Sequence, residues 1–314
     1  MGRKARDPEH TGKEPTPPWR PDEPCPCGSS RLYAQCCLGT DGHAYKSPVG
    51  RRPPGPQTGF SHGRCYMGWS QDCAQQISGE HFVSAGVLTQ LGGPKVKLNG
   101  VPWLAADETK ILPISSLTGN ILCKRHNEAF SRLDAMAGTF FAALKLIHDD
   151  IFDRKTLSKR WKWFLFSGEE LELWLLKTAI GLFHSGAVAK DKKRLGDSQT
   201  INPACYNILY RGILPAPRGL YVEPIHISKQ VNQFQLQPLS DDAGQQMVGL
   251  RMTYLSFSLL LLFDPNATYG PSITGSKTYR PSYLMVRNAK RTHTVMLTWV
   301  PTTSNVLGVV RASF

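Results

Sequence analysis

The sequence predicts an α+β protein of 314 residues, and three observations carry that prediction. Phe130, Leu133, Ala137, Phe140, Phe141, Leu144 and Ile147 recur at the three-to-four residue spacing of one helix face. Ser167 and Glu170 form a capping-box signature ahead of LELWLLKTAIGLFHSG, which predicts a second, strongly apolar helix ending near Gly186. From about residue 201 the texture changes to YNILYRGIL, LYVEPIHIS, QFQLQPL, GLRMTYLSFSLLLLF, SYLMVRN, HTVMLTWV and LGVVRASF. These segments are rich in Val, Leu, Ile, Tyr and Thr and are broken by turn residues, so they predict a mainly antiparallel β-rich domain packed on the second helix.

In chain order, residues 1–23 mix charges with prolines and are too polar to fold alone, which predicts a disordered leader. MGRKARDPEH lacks the apolar core of an export signal, and the apolar run Tyr254–Phe263 is far short of a membrane span. Residues 24–39 hold Cys25, Cys27, Cys36 and Cys37, four thiols in thirteen residues, with Gly28 and Ser29 to turn the chain around an ion. Residues 40–59 include SPVGRRPPGPQTG and read as a linker. Then come a metal-ligand-rich core over 60–150, a helical segment over 151–200 and the β-rich domain over 201–314, to which the sequence assigns no role.

The net charge of +13 favours an anionic partner. The excess is uneven: residues 61–150 carry eight basic and eight acidic side chains, whereas 201–314 carry ten against four. In that last part Arg287, Lys290 and Arg291 are candidate phosphate contacts. Cysteines clustered at ligand spacing read as zinc sites in a reducing compartment, so the expected location is the cytoplasm and no membrane partner is expected.

The core stretch joins two kinds of chemistry. Cys65, Cys73, Cys123 and His126 supply four N/S ligands for structural zinc, with His62 an alternative at x-x spacing from Cys65. Glu80 and His81, in ISGEHFVS, pair an oxygen ligand with a titratable base, and Asn127 brings an amide oxygen from the start of the first helix, unless it merely caps that helix. Glu80 and Asn127 could hold Mg²⁺ or another divalent cation, while His81 deprotonates a water for attack on phosphorus.

Two resemblances add to this. The Cys25-to-Cys37 run resembles the SEC-C motif, the small zinc tail of the bacterial preprotein translocase motor and of many unrelated bacterial proteins, which implies a binding appendage that recruits a protein partner. Residues 62 to about 145 resemble the zinc-containing branch of the HNH, or His-Me finger, endonucleases. That resemblance implies a treble-clef ββα-metal core with Glu80 and His81 as the acid-histidine step and Cys123 and His126 as the helix ligand pair. Asn127 would be the metal-binding residue that follows, and Asn120 the middle asparagine that orients the base or hairpin. It departs from the family pattern in the wide Cys65–Cys73 spacing and the long interval before Cys123; Glu128, Asp134 and His148 are candidates for a further metal-binding group. The expected function is metal-dependent hydrolysis of phosphodiester bonds in nucleic acid, DNA ahead of RNA. The alternative is a non-catalytic zinc scaffold that binds nucleic acid or protein.

Overall fold

The computed structural model describes residues 17–99, 108–152, 162–186, 189–190, 193–223, 234–264, 274–288, 291–300 and 308–313; most of the expected leader lies outside them. After the SEC-C-like segment and the stretch that follows it, β1 (Ile77–His81) leads into α1 (Ala85–Thr89). A hairpin follows, β2 (Lys95–Asn99) with β3 (Thr109–Pro113), and then β4 (Thr118–Cys123) runs straight into the long helix α2 (Lys124–Phe152). β1 and β4 pair antiparallel, Ile77 opposite Cys123 and His81 opposite Thr118, with a register shift between Ser78 and Glu80. Every position of the predicted helix face is fully buried.

β5 (Lys162–Ser167) precedes α3 (Gly168–Ser185). Ser167 caps α3 by accepting the Glu170 N–H, and Gly186 closes it in the left-handed conformation at φ 68°. β6 (Ala189–Lys190), β7 (Lys193–Arg194), α4 (Leu195–Ser198), β8 (Thr200–Ile201) and α5 (Ala204–Arg211) connect to the last third. There lie β9 (Gly219–Val222), β10 (Phe234–Ser240), β11 (Gln246–Tyr254), β12 (Phe257–Leu262), β13 (Thr278–Tyr279), β14 (Pro281–Asn288), β15 (Arg291–Thr298) and β16 (Gly308–Ser313). They form a six-stranded sheet in the order β10-β11-β12-β9-β13, with β8 on β11, and a four-stranded sheet in the order β16-β14-β15-β5.

The class is mixed α+β with mostly antiparallel pairing, and two details correct the sequence reading. Residues 204–211 form a helix where YNILYRGIL suggests a strand. The segment 151–200 is not purely helical: β5 joins the last sheet, parallel to β15, and β16 is parallel to β14. One apolar cluster runs from Cys65 through α2 and α3 to Leu284 and Val310, so the metal-ligand-rich stretch and the two sheets share a core. α3 is its axis, buried from Gly168 to Phe183. Arg280 is tied to it by bonds to both Glu172 oxygens at 2.7 and 2.8 Å.

The stretch expected to be a linker is anchored at several points. The Val49 N–H donates to Glu170 at 2.7 Å, and the Arg51 guanidinium donates to the carbonyls of Leu209 and Gly212 at 2.9 and 2.7 Å. The SEC-C-like knuckle is likewise docked: Cys25, Tyr33 and Cys37 pack with Leu165 of β5, and Trp19 stands edge-on to Tyr33 and Trp163. Among the described residues no helix is long and apolar enough to cross a membrane.

Candidate metal centre and adjoining cavity

The core ligands come from three places. Cys65 and Cys73 bracket the single turn Gly68–Ser70, Cys123 ends β4, and His126 lies in the first turn of α2. Backbone bonds hold these places together: the Tyr66 N–H donates to Ile121 of β4, and the Lys124 N–H at the start of α2 donates to Gln76, just before β1. The four ligand atoms lie within 4.8 Å of one another and all four residues are buried. His126 Nδ1 stands 3.1 Å from Cys123 Sγ and 3.7 Å from the sulfurs of Cys65 and Cys73. Two ligands at zinc distances and a tetrahedral angle are about 3.6 Å apart, so the set is compatible with zinc. The other ring nitrogen, Nε2, is 3.2 Å from the Ser70 hydroxyl, which orients the imidazole with Nδ1 toward the cysteines. Hydrogen bonding from Cys65, then from His126 and the Ala74 N–H, pulls the Cys123 thiol down to about 3 despite burial. His62 is not part of the set; its Nδ1 accepts the Arg64 N–H.

The second group, Cys25, Cys27, Cys36 and Cys37, also converges within 4.8 Å. Burial works against ionising Cys27, but the Ser29 hydroxyl and N–H outweigh it and lower its pKa to about 6.

Beside the core ligands is a cavity of about 320 Å³ whose lining includes Glu80, His81, Ser84, Asn127 and Asp134. The structure thus brings together the three residues expected to do chemistry and adds Asp134, one of the candidates for a further metal-binding group. Asn127 is oriented by its amide nitrogen, which donates to Ser78 Oγ at 3.0 Å. His81 is half-buried; burial lowers its pKa, Asp134 pulls the other way and Lys177 adds to the lowering, which favours the neutral ring. Asn120 lies exposed on β4 and is not part of the lining. Glu128 is exposed, within 4.0 Å of Lys124, and His148 bonds Ser256 farther along α2.

Sequence reasoning missed Lys177. It projects from α3, is almost wholly buried, and its ammonium bonds Glu80 and both oxygens of Asp134, the latter at 2.9 and 3.0 Å. Burial disfavours its charge, but the two carboxylates outweigh burial and hold its pKa above the ordinary lysine value. Glu80 is raised, because burial exceeds the help it receives from Lys177. Trp174, read as core packing, also donates its indole N–H at 2.7 Å to Ser84, whose hydroxyl bonds Asp134. One signal was available: a lone lysine in LELWLLKTAIGLF cannot be buried without an anion.

Of the basic residues proposed to contact nucleic acid, Arg287 is half-buried on β14. Lys290 lies outside the described residues, and so does the side chain of Arg291.

Residues 23–39 match the SEC-C motif, so the first cluster is a zinc-binding motif of known type that covers a small part of the chain. No HNH family model matches. Comparison of the chain with curated proteins and with solved structures gives no match.

Proposed function

We propose that the chain is a metal-dependent phosphodiesterase of the HNH type, cleaving nucleic acid, DNA ahead of RNA, in the cavity beside the core cysteine-histidine cluster. One juxtaposition supports this reading: Glu80 and His81 at the end of β1 and Asn127 on α2 line one cavity, and His126, immediately before Asn127, ties that helix to Cys65 and Cys73. Zinc at both clusters is structural. The neutral His81 ring is available to take a proton from water. Glu80, Asp134 and the Asn127 amide oxygen are hard donors of the kind that would hold Mg²⁺ or Mn²⁺, which when bound supplies positive charge to the phosphate. Lys177 keeps the two carboxylates in register with one ammonium between them. The cysteines are free thiols, which fits the cytoplasm.

A second reading, a non-catalytic zinc scaffold, draws on the same lysine. Its ammonium already neutralises much of the charge that a divalent cation would need, and the SEC-C knuckle would then supply a protein-binding face. Plasmid and single-stranded substrates incubated with Mg²⁺, Mn²⁺ or Ni²⁺ separate the two. The proposal requires cleavage by the parent and its loss, by about 10²-fold or more, in His81→Ala. Equal activity in both proteins, or binding without cleavage, sinks it in favour of the scaffold.

A further inference from the structure

The knuckle between Cys65 and Cys73 turns an uncommon set of side chains outward. Among the described residues the large apolar side chains left exposed are Leu32, Phe60, Trp69 and Ile111; Trp69 is on this knuckle, and the Phe60 carbonyl accepts the N–H of Cys73 at its end. Trp69 is 46% exposed and Phe60 40%. Trp69 does not serve the core; it sits on a single helical turn, with Tyr210 edge-on at 5.9 Å and the Arg211 guanidinium 6.0 Å from its ring centre. The same guanidinium lies 5.4 Å from the Tyr210 ring. Arg211 and Arg52 are exposed, and Arg52 is close enough to Tyr210 for its charge to act on that ring. The acid beneath them, Asp72, is buried and already engaged by Arg125 at 2.8 Å and by the Tyr210 hydroxyl at 3.2 Å. What faces solvent at Trp69 is therefore aromatic and cationic, with Asp72 neutralised from within.

We infer that this outer face of the knuckle, Trp69 with Arg211 against its ring and Arg52 beside Tyr210, is a docking surface for single-stranded nucleic acid. An exposed indole offers a stacking platform to any base, and arginines that lie against aromatic rings present charge to a phosphate chain. An apolar peptide would leave both arginines unmatched, whereas a polyanion with planar bases satisfies both halves of the surface. Tyr210 also touches His126, with ring centres 5.8 Å apart, so the surface is built directly on the metal centre that shapes the knuckle. The inference shares the nucleic-acid partner of the proposed function but does not depend on catalysis.

The test uses the full chain in the His81→Ala background, which removes the proposed general base, and follows anisotropy of a fluorescein-labelled single-stranded oligonucleotide across a salt series. Trp69→Ala should weaken binding by about 5- to 100-fold, the loss of one base stack, and Trp69→Phe should restore it to within about 3-fold. Arg211→Ala should reduce the salt slope by about 0.7. Parent-like affinity in Trp69→Ala, or binding that does not depend on salt, overturns the inference. So does displacement of the oligonucleotide by polyglutamate at lower concentration than by unlabelled oligonucleotide, which would assign the face to an acidic protein. Cleavage unaffected by His81→Ala beside Trp69-dependent binding removes the proposed active site and leaves this surface standing. His81-dependent cleavage with Trp69-independent binding does the reverse.

Discussion

Lys177 is the residue through which the cavity can be tested without any substrate. In Lys177→Met the ammonium is replaced by an apolar chain of similar length, and Glu80, 3% exposed, loses its main counter-charge. Breaking a buried pair by removing one partner costs about 3–5 kcal/mol, because the survivor must ionise in a poor medium or take up a proton. The pH dependence follows from the direction of the Glu80 shift. Burial already raises its pKa, and without Lys177 the remaining influences, burial and the Asp134 carboxylate, both raise it further. A carboxyl with a raised folded pKa adds stability that is complete below its unfolded pKa and is lost as pH rises through the folded one. The deficit of Lys177→Met should therefore be largest near pH 7.5 and shrink by pH 5. Urea unfolding at the two pH values measures this through midpoints at constant slope. Adding Glu80→Gln should recover about 2 kcal/mol at pH 7.5, since a neutral amide needs no counter-charge. A Lys177→Met midpoint equivalent to less than about 0.5 kcal/mol of loss at both pH values, or a deficit that grows on acidification, would show that Lys177 does not serve as the counter-charge of Glu80.

Two further outcomes follow from the same structure. If His81 is the general base, kcat/KM should fall on the acid side with an apparent pKa below the ordinary histidine value, as its lowered pKa requires; an acid limb above pH 7 would assign it to another group. Ser167→Ala removes the hydroxyl that caps α3 and should destabilise the protein by about 1 kcal/mol in the same urea assay, with Ser167→Asp closer to the parent; equal stability of parent and Ser167→Ala would deny the cap.

The parts of this molecule that could be read in advance are those written in local periodicity and ligand chemistry. The stripe from Phe130 to Ile147, the Ser167 cap, the Gly186 stop and both four-ligand sets depend on residues close in sequence or on residue types with few alternative uses. Residues 204–211 misled because a short apolar run fits either period. The cue for a helix was the preceding Asn202-Pro203, whose asparagine carbonyl accepts the Ala204 N–H at 3.0 Å. The parallel pairing of β5 with β15 joins segments about 130 residues apart, for which neither strand carries a local signal. The Lys177–Glu80–Asp134 cluster joins three elements in the same way: the lysine announced that it needed an anion but not which one. That is why Glu80 could be recognised as important while its partner could not. The docking of the SEC-C knuckle on Leu165 and Trp163 was hidden for the same reason.

Zinc in the core cluster would fix the Cys65–Cys73 knuckle, the end of β4 and the start of α2 around the cavity. Metal analysis of the purified protein, parent beside Cys123→Ser, measures it. Two zinc ions per chain in the parent and one in the variant are predicted, the remaining ion belonging to the SEC-C cluster. One zinc in both proteins, or none in the parent, would contradict the claim that the cavity is organised by a metal.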